Sequence, residues 1–162
     1  MSSKADIEVR LLSWDHPDSV HLRHLQRVEI ISLGGLEPGL PPTAANVPVF
    51  LIAYKAGVPV GCGGLRPLSN DTAEIKRMFV DEAYRGRAGR DKDTGNSVAE
   101  LILEALEAEA RKRAWSVLLL ETGTFLTKAR RFYERCGFIE CEMFGDYKET
   151  DNSVCYRKYV DN

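Results

Sequence analysis

The sequence predicts one mixed α/β domain spanning residues 1–162, and three observations carry that prediction. The chain has 162 residues, enough for a real hydrophobic core and within the range of a single domain. Short alternating or apolar runs recur along it, and between them lie stretches with apolar residues at helical spacing. No internal repeat breaks the pattern.

Ile7 to Leu12 (IEVRLL) alternates as a first strand should, and Asp15 to Asp18 supplies turn and cap chemistry for a helix from about Ser19 to Ser32. The Gly- and Pro-rich segment from Gly34 to Pro48 reads as a flexible loop over a site. Val49 to Tyr54 and Val58 to Arg66 flank Lys55-Ala56-Gly57 and predict an antiparallel hairpin. Gly61, Gly63 and Gly64 thin the second strand, which points to a bulge or a close backbone approach. Ala73 to Val80 continues the strands. Ser97 to Ala114 carries one apolar stripe (Val98, Leu101, Ile102, Ala105, Leu106), with acids near its start and bases at its end as the helix dipole favours. Ser116 to Leu120 is a buried type of strand. Lys128 to Cys136 is a helix stopped by Gly137, and Phe138 to Phe144 with Val154 to Val160 forms a closing antiparallel pair.

Composition narrows the function classes. Hydrophobic residues make up 44%, charged residues 28%, and the net charge is −2, so a general nucleic-acid binder is not expected. The N-terminus has no apolar core of a signal peptide and no window is long and apolar enough for a membrane span, which predicts a cytoplasmic protein away from membranes. Cys62, Cys136, Cys141 and Cys155 form no CxxC pair and lie far from His16, His21 and His24. Free thiols and no metal are expected. His21 and His24 share a helical face, which is read as surface rather than as a ligand pair.

The stretch MFVDEAYRGRAGRDKDTGNSVAELI, from Met78 to Ile102, starts like a strand, ends like a helix, and between them crowds arginines with glycines. A helix start offers unpaired amides and partial positive charge, a natural seat for a diphosphate that arginines would reinforce. With AEIKRMFVDEAYRGR before the helix, LLLETG after it and ARRFYERCGF beyond, the chain resembles the GNAT N-acetyltransferase superfamily from about Val49 to Val160, most of all its small single-domain members.

That resemblance implies a GNAT-type fold, a mixed, mostly antiparallel sheet flanked by helices, and acetyl-CoA as cosubstrate. In the family the phosphate loop reads Q/R-x-x-G-x-G/A. Arg85, Gly86 and Arg87 begin it in place, but the glycine frame fails straight afterwards and the helix core arrives about nine residues late. Ala88 to Asn96 therefore reads as mainly an insertion, with Ser97, Val98 and Ala99 as the working helix start. The resemblance further implies that Met78, Phe79 and Val80 serve through their backbone, the Met78 amide polarising the thioester and the strand end pairing with the pantetheine arm.

Acetyl transfer to an amine needs a proton acceptor and a donor to the departing thiolate. Glu74 is the candidate base, its alternative being an ordinary outward or lysine-paired carboxylate. Tyr133 matches the family tyrosine that would protonate the sulfur, its alternative a core aromatic. Leu126 stands where the family often has asparagine. Glu29, Glu37 and Asp146 are acids that would attract an ammonium, with Phe144 and Tyr147 as walls. The expected function is direct acetyl transfer to the primary amine of a small or amino-acid-like acceptor by a monomer or homodimer. A peptide amine acetyltransferase and an inactive CoA-binding module are the alternatives.

Overall fold

A computed structural model describes residues 6–35 and 37–161. Its elements run β1 (Ile7–Leu11), α1 (Pro17–Ser32), β2 (Val49–Lys55), β3 (Val58–Pro67), β4 (Thr72–Val80), α2 (Val98–Lys112), β5 (Val117–Gly123), α3 (Thr127–Arg135), β6 (Ile139–Cys141) and β7 (Ser153–Tyr159). The strands form one seven-stranded sheet in the order β1-β2-β3-β4-β5-β7-β6. All neighbours pair antiparallel except β4 and β5, which α2 connects as a parallel crossover.

Local chemistry explains the boundaries. The β2–β3 turn has Ala56 at φ 50° and Gly57 at φ 79°, the left-handed pair that matches strand twist. α1 begins earlier than the sequence predicts, because Pro17 suits a first helical position and the Nδ1 of His16 accepts from the Asp18 amide at 3.1 Å. α2 is closed by a capping box in which the Ser97 hydroxyl accepts from the Glu100 amide at 3.1 Å. Gly137 follows α3 at φ 95°, as a left-handed stop requires. β6 is the main departure: pairing ends at Cys141, and the predicted continuation to Phe144 turns away so that Tyr147 is buried against Glu74.

The two sheet faces have different occupants. Val98, Ile102, Leu103, Leu106 and Ala110 of α2 pack with Ile75, Leu118, Leu120 and Tyr133 on one side. Each fully buried aliphatic here contributes about 1.5–3 kcal/mol. Leu22 of α1 packs with Phe50, Ile52, Cys62 and Phe79 on the other. The glycines of β3 let α2 approach: a Cβ on Gly61 would lie 2.8 Å from Ile102, and one on Gly63 3.0 Å from Leu106. Among the described residues no helix is long and apolar enough to cross a membrane, and no His/Cys/Asp/Glu group is arranged to hold a metal.

Candidate active site

β4 and β5 are in register only from Thr72↔Val117 to Glu74↔Leu119. Beyond that point β4 stays with β3 and β5 stays with β7, so the sheet opens between them. The Met78 carbonyl accepts from Nε2 of Gln26 at 3.1 Å, and the Val80 carbonyl from Nε of Arg85 at 2.8 Å. Those carbonyls therefore face the opening, whereas Asp81 donates to Val60 of β3 at 2.8 Å. Since a strand residue directs its N–H and C=O to the same side, the Met78 and Val80 amides also face the opening.

A bulge sets this up. Cys62 pairs with Phe79 but Gly64 pairs with Lys76, so β4 carries an extra residue there, and Arg77 sits at φ 58°. Consecutive residues Lys76 and Arg77 both reach the α1 side: Lys76 donates to the Tyr147 hydroxyl at 2.8 Å, and Arg77 holds Glu37 at 2.5 Å.

On that side lies a buried charged cluster. Glu74, 1% exposed, receives Nη2 of Arg66 at 2.8 Å, Nε of Arg66 at 3.2 Å and the Tyr147 hydroxyl at 2.5 Å. Both oxygens of this candidate base are engaged, and of its alternatives the lysine-paired one is present, with Lys76 Nζ 3.6 Å from Oε2, while the outward-facing one is not. Arg66 also donates to the Leu40 carbonyl at 2.7 Å, tying in the loop after α1. Burial and then Glu74 push the Tyr147 phenol up, keeping it a donor. Burial lowers Lys76, partly countered by Glu74.

Glu121 completes the cluster and was not singled out from sequence. Leu118 and Leu120 of β5 face the α2 side, so Glu121 faces the other way, with Lys76 and Glu74 in electrostatic range. The Ser153 hydroxyl donates to its Oε2 at 2.5 Å. Burial raises its pKa, against the lowering by Ser153 and Lys76. The available signal was a lone acid inside the apolar run LLLETG.

At the other end of the opening, residues 86–89 form a tight turn entered through Gly86 at φ 69°. Gly89 is buried, and a Cβ there would lie 1.6 Å from the Tyr84 carbonyl oxygen. Arg85 turns its side chain back to Val80 and to Glu29 of α1 at 2.6 Å, while Arg87 is exposed. Ser97 satisfies the Glu100 amide, leaving Val98 and Ala99 to present theirs at the start of α2. The segment read as an insertion is anchored: Asp91 accepts from the Ile7, Asp93 and Thr94 amides at 3.3, 2.9 and 2.9 Å, and Lys55 donates to the Ala88 carbonyl at 2.9 Å.

Tyr133 is 7% exposed, edge-on to Phe132 and Phe138, and burial pushes its phenol up. Of the acids expected to draw an ammonium, Glu29 and Glu37 are paired with arginines. Phe144 and Tyr147 do meet, with ring centres 5.1 Å apart.

Comparison with known proteins decides the family. Residues 47–140 match the model of an acetyltransferase (GNAT) domain. The chain belongs to the GNAT acetyltransferase family. It is 35% identical to the N-acetyltransferase YsnE of Bacillus subtilis over 67% of this chain and 68% of that protein. It is also 35% identical to an IAA acetyltransferase of Azospirillum brasilense, over 67% of this chain and 66% of the relative. A crystal structure described as an acyl-CoA N-acyltransferase from Klebsiella pneumoniae superimposes with TM-score 0.75 at 26% identity, covering 95% and 97% of the two chains. This GNAT protein is thus an acetyl-CoA-dependent N-acetyltransferase with the fold that the sequence predicts.

Proposed function

We propose that the enzyme moves an acetyl group directly from acetyl-CoA to the primary amine of a small, amino-acid-like acceptor. The observation that carries this is the opening between β4 and β5, with backbone amides on one wall and a buried acid–base cluster on one face. The diphosphate sits against the amides of Gly86, Arg87, Val98 and Ala99, with Arg85 bracing the strand end and Ser97 fixing the helix start. The pantetheine arm runs beside Met78, Phe79 and Val80 as an added strand, and the Met78 amide polarises the thioester carbonyl.

The acceptor enters from the α1 face, between Tyr147, Lys76 and Glu121. Its ammonium loses a proton to Glu121, whose raised proton affinity and single hydrogen bond on Oε2 suit it to accept. Glu74, clamped by Arg66 and Tyr147, supplies a fixed negative charge beside that step rather than a free oxygen. The neutral amine attacks the carbonyl carbon, the C–S bond breaks, Tyr133 donates its phenolic proton to the departing thiolate, and the second proton, shed by the nitrogen as the amide forms, restores the Tyr133 phenol. Among the described residues the free cysteines have no histidine partner, in keeping with direct transfer without an acyl-enzyme.

Thiol release from acetyl-CoA across a panel of primary amines, with the acetylated product identified by mass spectrometry, tests this reading. Saturable amine-dependent release is expected. Calorimetric silence toward both CoA and acetyl-CoA would overturn it. Tyr133→Phe should lower kcat more than CoA affinity, and equal losses would assign the ring to packing alone.

A further inference from the structure

Arg77 occupies a backbone conformation that L-residues rarely adopt, at φ 58°. Glycine would take that position at no steric cost, so the side chain there needs its own explanation. Its guanidinium grips a carboxylate: Nη1 lies 2.5 Å from Oε1 of Glu37 and Nη2 3.4 Å from Oε2. The Arg77 side chain is 15% exposed and that of Glu37 35%, so the buried partner is the cation and the acid reaches in from the loop after α1.

The surroundings are cationic. Arg77, Arg27 and Lys76 all act on Glu37, and together with its hydrogen bond to Arg77 they hold its carboxyl below the usual range. Arg23, stacked 3.7 Å from the centre of the Trp14 ring, feels Arg77 as a like charge. Glu37 is the carboxylate that pairs with the Arg77 guanidinium, while Asp15 acts on Arg23 and Glu74 and Glu121 act on Lys76. Two buried polar atoms beside the bulge also have no partner among the described residues: Nε of Arg77, a donor, and Oε1 of Gln26, an acceptor. Gln26 is the residue whose amide nitrogen holds the Met78 carbonyl, next to the proposed oxyanion contact. Buried unmatched polar atoms are destabilising, and a ligand offering both an anion and an N–H group would relieve them.

We infer that the acceptor is an amine that also carries a carboxylate, and that this carboxylate displaces Glu37 from Arg77 while its amine meets the acetyl group at the bulge. The occupant that already fits the guanidinium fork is a planar carboxylate, which is why the assignment is to a carboxylic acid rather than to a phosphate ester. Glu37 then acts as a competitor that excludes amines lacking an anionic group: these gain nothing at Arg77 to offset breaking the pair. This inference rests on the acetyl-transfer reading above and narrows its substrate class.

Its test compares the common L-amino acids with their own carboxamides and with the corresponding decarboxylated amines, by thiol release. At least one free acid should exceed its carboxamide by tenfold or more in kcat/KM. Arg77→Gln should raise KM for that acid at least tenfold and shift the carboxamide less than threefold. Arg77→Lys, which keeps charge but loses the fork, should fall between. Glu37→Gln should lower KM for the acid, and the matching N-acetyl amino acid should bind this variant more tightly by calorimetry in the presence of CoA. Carboxamides or plain amines matching the acids would overturn the inference while leaving acetyl transfer standing. Equal losses for acid and carboxamide in both Arg77 variants would reduce Arg77 to a structural residue. Absence of turnover with all three sets would sink this inference, and the acetyl-transfer reading falls with it only if CoA also fails to bind.

Discussion

Glu74→Gln separates two roles that sequence alone assigns to one residue. The carboxylate is 1% exposed and accepts three hydrogen bonds, two from Arg66 and one from Tyr147. The Arg66 side chain is 7% exposed, so removing its counter-charge strands a guanidinium away from water. Breaking a buried ion pair on one side costs about 3–5 kcal/mol. For a domain of this size each kcal/mol lowers Tm by roughly 2–4 °C, which gives a fall of roughly 6–20 °C. Differential scanning calorimetry at pH 7 reads it. Arg66→Met combined with Glu74→Leu removes both charges, and it should recover much of the loss because an apolar pair of similar volume is often neutral or better. Measured well below its Tm, Glu74→Gln should retain measurable turnover if Glu121 is the proton acceptor, as proposed. A Tm change under about 3 °C, the equivalent of about 1 kcal/mol, would show that the cluster is not held together by this pair. Complete loss of turnover in a folded variant would return the base role to Glu74.

Other perturbations address the neighbouring parts. Because Glu121 must be ionised to accept a proton, and burial raises its pKa, the acid limb of kcat/KM should lie above the ordinary carboxylate range. Glu121→Gln should abolish that limb and reduce kcat by about 100-fold or more. Its effect on stability has the opposite sign: a raised folded-state pKa means stability falls as pH climbs from the unfolded value through the folded one. The Gln variant should therefore be at least as stable as wild type near neutrality by the same calorimetry. Gly89→Ala places a Cβ 1.6 Å from the Tyr84 oxygen and should weaken CoA binding, read by calorimetry, by about tenfold, equivalent to one lost hydrogen bond. Burial pushes Cys62 up to about 12 and Cys155 up to about 11, so iodoacetamide on the folded protein should label Cys136 and Cys141 first, as peptide mapping would show.

What was legible in the sequence followed from local rules. Hydrophobic period found α2 and most strands, and the glycine after Cys136 fixed the end of α3 because a left-handed residue is needed there. The family resemblance is the source of the roles proposed for Tyr133 and for the backbone of Met78 to Val80. Glu121 was missed because its significance depends on a strand pairing that stops after Glu74, and no local pattern records where two strands part. The partners of Glu74 were hidden for the same reason: Tyr147 lies 73 positions away and reaches it only because β6 breaks off early. The stretch 88–96 looked dispensable by motif spacing. Its acid Asp91 takes up the amide of Ile7, 84 residues earlier, and so ties that loop to the edge of the sheet.

The bulge in β4 links these parts physically. A strand alternates with a period of two residues, so an inserted residue reverses the facing of everything beyond it. Before the bulge, Ile75 packs toward α2 while Glu74 and Lys76 face α1; after it, Met78 and Val80 pack with the α2 core and Phe79 with Leu22 on the α1 side. Were the same residues held in a regular strand with no bulge, Met78 would exchange faces with Phe79, and the amides that now face the opening would turn toward β3. The insertion also places Arg77 beside Lys76 on the acceptor face, two adjacent cations that a regular strand would send to opposite sides. The amides proposed to meet the donor and the cations proposed to meet the acceptor thus take their facing from a single irregularity in β4.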